Sequence, residues 1–242
     1  MKTTITGLLF LIALILGNPI YSQTLPIEIS KELETTTKLL ISNFEEIDTK
    51  RKKELEELGD FMVAQLEGQE KFNALFVCTH NSRRSHIADL WFKYGMYYYG
   101  LNKFESFSGG TEATAFNSKA IEAIKRAGFT VFYKKKVENP VVSITPKNYP
   151  VWNMKSKVYT HKVNPKSNFV AVMVCSDADK SCPVVDGAIG RFTIPYNDPR
   201  YFDNTPSEKQ KYDETVALIG TEMLFLVHYI KNKIIVQEEL DK

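Results

Sequence analysis

Ala74-Leu75-Phe76-Val77-Cys78-Thr79-His80-Asn81-Ser82-Arg83-Arg84-Ser85 runs from an apolar, strand-like stretch through a Cys-x5-Arg loop and into the helix-like segment 86–91. A loop of this kind between a strand and a helix turns successive backbone N–H groups inward at a helix N-terminus. It can therefore hold a tetrahedral oxyanion, with the helix dipole and Arg84 adding positive potential. A sulfur seated beneath a bound oxyanion is placed to attack it, and Ser85 is close enough in sequence to support that sulfur. The chemistry implied is attack on phosphorus or arsenic. A buried cysteine that merely ends a strand is the plain alternative. Against it stand the spacing to Arg84, the hydroxyl that follows, and the strand-to-helix placement.

Working outward, the pattern from Phe72 onward alternates strand-like and helix-like segments. Strands are expected at 74–77, 104–108, 130–133, 169–174 and 191–194, and helices at 85–99, 118–127 and 206–231. Such alternation favours an α/β sandwich with a mainly parallel sheet. For the last helix, Thr205 reads as N-cap, Pro206 as first residue and Glu208 as the capping-box acid. Ligands in such sheets bind beyond the carboxyl ends of strands, where Cys78 lies. The stretch 140–165 has prolines at 140, 146, 150 and 165 and reads as a long surface loop. Its Tyr149, Trp152 and Tyr159 either line a substrate wall or pin the loop down.

Ahead of the domain, residues 26–69 are rich in Glu and Lys, with Leu33, Leu40, Phe44, Ile47, Leu55, Leu58, Met62 and Leu66 at helical intervals. One or two amphipathic helices are expected there, packed on the domain. Earlier still, Lys2 precedes the apolar residues 8–16, the breakers Gly17, Asn18 and Pro19, and a small residue, Ser22. This reads as an export signal, too short to span a bilayer comfortably. The expected division is a signal at 1–22, a helical extension at 23–71 and the main domain at 72–236, the mature form being exported, off the membrane and monomeric.

The 242 residues, 43% hydrophobic and 12% aromatic, are enough for a substantial core. A net charge of +2 is too mild to mark a nucleic-acid partner, and no basic run is interleaved with aromatics.

Two further constellations bear on mechanism. Asn197-Asp198-Pro199 follows a strand and sets a carboxylate on a proline-fixed turn, where it can protonate a leaving oxygen and later activate water. Cys175-Ser176-Asp177-Ala178-Asp179-Lys180-Ser181-Cys182 also follows a strand, and with Cys78 it contains all 3 cysteines of the chain. If the pair lies beside Cys78, a thiol relay ending in a 175–182 disulfide becomes available, with an external reductant to reopen it. The alternative is a permanent structural disulfide in an exported protein. No Cys-x2-Cys pair is present, so zinc is disfavoured, and no cofactor is expected.

Phe76 to Ser85 resembles the anion loop of the low-molecular-weight protein tyrosine phosphatase superfamily, and more closely that of its thioredoxin-coupled arsenate reductases. Ser108-Gly109-Gly110-Thr111-Glu112 with Asn117-Ser118-Lys119-Ala120, the segment from Cys175 to Pro183, and Asp198-Pro199 are similar to further parts of that branch. The resemblance implies a flavodoxin-like three-layer sandwich with a four-stranded parallel sheet, the phosphotyrosine protein phosphatase I fold. It also implies Cys78 as nucleophile, Arg84 as oxyanion clamp, Ser85 as the hydroxyl supporting the thiolate, Asp198 as general acid, and Cys175 and Cys182 as relay thiols. Thr79, His80, Asn81, Ser82 and Arg83 would complete the oxyanion loop. A potassium position in some members corresponds to Asn81 and Asp89. The partner implied is a thioredoxin-like reductant. His80 stands where many relatives carry glycine, and Arg83 where many carry cysteine or a neutral residue. Three readings follow: a thiol-coupled arsenate reductase, a phosphatase acting on phosphotyrosine or small esters, and an oxyanion-binding protein with a static disulfide.

Overall fold

The first sheet forms because two strands read as almost unbroken apolar runs, which suits burial on both faces. These are β1 (Phe72–Cys78) and β6 (Phe169–Met173). In this computed structural model, which describes residues 27–181 and 184–240, they lie side by side at the centre of a four-stranded sheet. β2 (Phe104–Gly110) flanks β1 and β7 (Ala188–Thr193) flanks β6, and every pairing is parallel. The order β2-β1-β6-β7 reverses direction between β1 and β6, which makes their carboxyl ends the switch point where a ligand fits. Helices α3 (Arg84–Tyr99), α4 (Ser118–Arg126), α5 (Ser176–Ser181) and α6 (Glu208–Leu240) complete an α/β sandwich of the expected class.

The extension forms two helices, α1 (Lys31–Ser42) and α2 (Thr49–Ala64), joined by a 3-10 turn at Phe44–Glu46. Ser30 caps the first and Asp48 the second, each accepting from first-turn N–H groups. Leu33, Leu40, Leu55, Leu58 and Met62, the apolar stripe of the sequence, are buried in the one continuous core. Phe61 of α2 lies over the sheet, its ring centroid 6.3 Å from Phe72 and 5.3 Å from Phe192. Gly190 of β7 permits this contact, because a Cβ there would come 2.3 Å from the Phe61 ring.

Three expectations need correction. The 130–133 segment does not join the parallel sheet: β3 (Thr130–Phe132) pairs antiparallel with β4 (Val142–Thr145), which pairs with β5 (Trp152–Met154). The stretch 140–165 is therefore a small second sheet with turns rather than a bare loop, its short strands hidden among prolines. The last helix starts at Glu208, not Pro206, and runs on to Leu240. Thr205 does not cap it with its side chain; instead Glu208 reaches back to accept from Asn204 N at 2.7 Å. The predicted export signal falls outside the described residues, and among those described no helix is long and apolar enough to cross a membrane.

Candidate active site

The loop from Cys78 to Arg84 is held by its carbonyls. Cys78 O accepts from Thr111 N, Thr79 O from Glu112 N, and Ser82 O from Asn117 N. His80 O accepts from Ser156 Oγ at 3.1 Å. With the carbonyls tied outward, the N–H groups of residues 79–85 are left without protein acceptors among the described residues. This is a nest of donors opening onto the N-terminus of α3, whose dipole favours an anion. Asn81, buried, turns the chain at φ 44°, in the left-handed region that asparagine tolerates better than most side chains. Gly110 lets the end of β2 pass beneath, since a Cβ there would come 2.7 Å from Asn81 N and 2.1 Å from Glu112 O.

At the base of this nest, Cys78 Sγ lies 3.0 Å from Ser85 Oγ. The direction of that bond follows from its neighbours. Lys157 N donates to Asn81 Oδ1 at 2.9 Å, which fixes the amide so that Nδ2 donates to Ser85 Oγ at 2.9 Å. The Ser85 hydroxyl hydrogen is thereby free to point toward the Cys78 sulfur. His86, next in the chain, is fully buried and stacked on Phe116 with ring centroids 4.0 Å apart. Burial holds its pKa well below the ordinary histidine value, so it stays neutral and is part of the scaffold.

Arg84 and Asp198 come together. Arg84 Nη2 donates to Asp198 Oδ2 at 2.8 Å and Nη1 to Tyr196 O at 2.9 Å, while the buried Nε has no acceptor among the described residues. Asp198 Oδ1 accepts from Arg200 N at 3.0 Å, which orients the carboxylate on its turn. The Ser82 and Arg83 side chains of the loop bond to protein groups outside it. Ser82 Oγ donates to Ala115 O at 2.7 Å, and Arg83 Nε donates to Tyr212 Oη at 3.0 Å. Both residues face the nest through their backbone N–H groups. Arg83 also stands 3.8 Å from Asp198 Oδ1, so its charge acts on the carboxylate. His80 Nε2 lies 3.5 Å from Glu112 Oε2 at the rim.

Cys175 is a free thiol and fully buried. It follows β6, whose register against β1 continues through the bond from Val174 N to Val77 O. Thr79 and Cys175 are therefore neighbours across two strands, and Cys175 Sγ lies 3.5 Å from Thr79 Oγ1. Ala178 N, at the start of α5, donates to the same sulfur at 3.3 Å. The second thiol of the segment, Cys182, lies outside the described residues.

The potassium position at Asn81 and Asp89 does not fit a metal ion here. Asp89, buried, is ion-paired with Lys93 and accepts from Ser106 Oγ at 2.6 Å, while Asn81 Oδ1 is taken by Lys157 N. The Lys93 ammonium already supplies the positive charge that the Asp89 carboxylate needs. The side chain of Lys157, its pKa pushed down by burial, adds a second cation nearby. The melting temperature is therefore expected to be the same in potassium and choline chloride at equal ionic strength. Lys93→Met should lose about 3 kcal/mol, because it leaves Asp89 buried and unpaired, and only that variant should be stabilised by potassium. A potassium-dependent rise in the unmodified protein would contradict this.

Of the aromatics of the 140–165 stretch, Trp152 pins the segment to the domain. Trp152 packs on Tyr97, 6.5 Å between centroids, at the end of α3 remote from the loop, roughly 20 Å away along the helix. Tyr159 N bonds Gly110 O at 2.8 Å, and Tyr149 is exposed. Lys157, Ser156 and Tyr196 escaped the sequence reading because they serve the site through backbone atoms or through a hydroxyl in an irregular segment.

The family model for low molecular weight phosphotyrosine protein phosphatase matches residues 73–144. An arsenate reductase of Staphylococcus epidermidis is 31% identical over 130 residues, covering 54% of this chain and 80% of that protein. An arsenate reductase of Staphylococcus aureus is 29% identical over 124 residues, covering 51% and 76% respectively. A solved low molecular weight protein tyrosine phosphatase from Bacillus subtilis superposes with a TM-score of 0.47 at 19% identity, covering 66% of this chain and 98% of its own. The chain thus belongs to the low-molecular-weight phosphotyrosine protein phosphatase superfamily, as an enzyme whose sequence relatives include arsenate reductases.

Proposed function

We propose that this enzyme reduces arsenate to arsenite with its own thiols. The observation that carries the reading is the buried free thiol of Cys175, in contact with Thr79, the residue after the nucleophile. Cys78, as thiolate, attacks arsenic while the loop N–H groups and Arg84 hold the arsenate oxygens, and Asp198 gives a proton to the departing hydroxide, which leaves as water. Cys175 then attacks the Cys78 sulfur. The S–As bond breaks with its electron pair going to arsenic, which departs as arsenite, and a 78–175 disulfide remains. Cys182 attacks Cys175, freeing Cys78 and forming a 175–182 disulfide that an external dithiol of the thioredoxin type reduces. Two thiols lose two electrons and arsenic(V) gains them.

The competing chemistry shares the first step and lets water clear a cysteinyl phosphate. Favouring it is the 3-10 turn Pro199–Phe202, which carries Tyr201 and Phe202 beside Asp198, with Tyr201 exposed. Arg200 rather than an aromatic directly follows the Asp-Pro pair, which argues the other way. Side-by-side assays of arsenate reduction with a regenerating dithiol and of chromogenic phosphate-ester hydrolysis separate the two: arsenite formation should dominate, and ester hydrolysis alone would favour the phosphatase.

We also propose that the enzyme works after export, on the strength of the apolar residues 8–16 followed by Ser22. Mass spectrometry of the purified native protein should find Gln23 as its first residue. An intact N-terminus on cytosolic protein would end this reading.

A further inference from the structure

The turn carrying Asp198 begins and ends in proline, Pro195 and Pro199, and neither supplies an N–H. Its last link to the sheet is Tyr196 N on Val174 O, at 3.1 Å. On either side of that bond, two carbonyls of the turn are each held by a guanidinium. Arg84 Nη1 holds Tyr196 O, and Arg51 Nη2 holds Pro195 O at 2.9 Å. Arg51 does not belong to the α/β domain. It lies in the first turn of α2, where Asp48, the N-cap, fixes its backbone by accepting from Arg51 N at 3.2 Å.

The Arg51 side chain is tied down on every side. Nη1 donates to Glu54 Oε2 at 3.0 Å, Nε lies 3.5 Å from Glu222 Oε1 of α6, and the guanidinium sits 5.6 Å from the centre of the Tyr196 ring. Tyr196 Oη in turn donates to Glu222 Oε2 at 2.7 Å. Arg51, Glu222 and Tyr196 therefore form one closed unit, two members of it buried in the domain. Around it α2 and α6 leave a cavity of about 570 Å³ lined by Asp48, Arg51, Pro195, Ala217 and Glu222. Apolar packing thus does not replace what Arg51 does. Arg84 must also meet the oxyanion during turnover, which leaves Arg51 as the clamp on the turn that keeps its partners throughout.

We propose that Arg51 of the N-terminal extension is a positioning residue for catalysis: with Glu222 and Tyr196 it holds the Pro195–Asp198 turn so that Asp198 can deliver its proton. The extension is then part of the catalytic apparatus rather than an appendage. The proposal rests on Asp198 acting as the acid, in either chemistry above.

Because Arg51→Met alone leaves Glu222 buried without its cation, the test uses Arg51→Met/Glu222→Gln, in which the glutamine can still accept from Tyr196, alongside Arg51→Lys and Asp198→Asn. Each is assayed on phenyl phosphate, which needs leaving-group protonation, and on 2,4-dinitrophenyl phosphate, which does not. The double variant should lose kcat/KM on phenyl phosphate, a quantity that ends at leaving-group departure and so excludes the later water step, by roughly 30-fold, part of the ~10²- to 10⁴-fold that a general acid supplies. On the dinitrophenyl ester it should stay within about threefold of the unmodified enzyme. The affinity for inorganic phosphate should be unchanged, Asp198→Asn should show the same asymmetry in kcat/KM, and Arg51→Lys should restore part of the loss. Equal losses on the two esters, or none, would overturn the proposal. If the unmodified enzyme turns over neither ester, the brace is judged by hydrogen exchange, and if it turns over no arsenate either, the functional reading fails as well. Faster exchange at Tyr196, Arg200 and Tyr201, with α2 and α6 still protected, supports the brace, and unchanged exchange at those three amides refutes it.

Discussion

Cys78→Ser protein should lose arsenate reduction and phosphate-ester hydrolysis together, by about 10⁴-fold or more, while still binding phosphate or arsenate. The argument is local. Cys78 sits at the end of a strand paired on both sides, and Ser85 faces its sulfur at 3.0 Å, so an isosteric hydroxyl fits without moving the loop. The oxyanion donors proposed above, the N–H groups of residues 79–85 and the Arg84 guanidinium, are not touched by the substitution. What disappears is a nucleophile strong enough to attack arsenic or phosphorus, and the only atom that could pass an adduct to a second thiol. Steady-state assays of both reactions, with phosphate binding by calorimetry, check the outcome. Either activity surviving within tenfold would remove Cys78 from the role of nucleophile, and lost binding would mean the loop had changed shape.

Cys182→Ser should separate the two chemistries altogether. Without the last thiol the relay stops at the 78–175 disulfide, so each chain should release about one arsenite and then stall, even with a thioredoxin-type dithiol present. Ester hydrolysis, which needs only Cys78, Arg84 and Asp198, should be unaffected. Cys175→Ser should release almost no arsenite, because nothing beside the loop can then attack the Cys78 sulfur. Product counted per enzyme in a rapid-quench experiment distinguishes one turnover from many. Sustained arsenite production by Cys182→Ser would mean that external thiols reach the adduct directly, and the internal relay would have to be abandoned.

Much of this architecture was legible because its signals are local and periodic. The apolar runs of β1 and β6, the Cys-x5-Arg loop between strand and helix, and the helical stripe from Leu33 to Met62 each lie within one contiguous segment. What stayed hidden depends on residues distant in sequence. β4 and β5 are 4 and 3 residues long, so no alternation is long enough to announce them. The orientation of Asn81 depends on a backbone N–H 76 positions away, at Lys157. The function of Arg51 depends on a carbonyl 144 positions away, and in the sequence that arginine is one charge on the polar side of an amphipathic helix. Lys93 could have been suspected, because it stands four residues after Asp89 on a helix, the spacing at which opposite charges meet. Nothing in the sequence, however, says that the carboxylate is buried.

The central claim, that the Cys78 adduct is resolved by thiols of the same chain, is tested most directly by a single-equivalent reaction. Fully reduced enzyme, kept anaerobic and free of added reductant, is given one equivalent of arsenate, after which arsenite, free thiols and disulfide-linked peptides are measured. The account predicts one arsenite per chain, two thiols lost, a 175–182 disulfide and Cys78 recovered as a free thiol. All three thiols retained with no arsenite formed, in protein that still hydrolyses a phosphate ester, would contradict it and leave water as the group that clears Cys78.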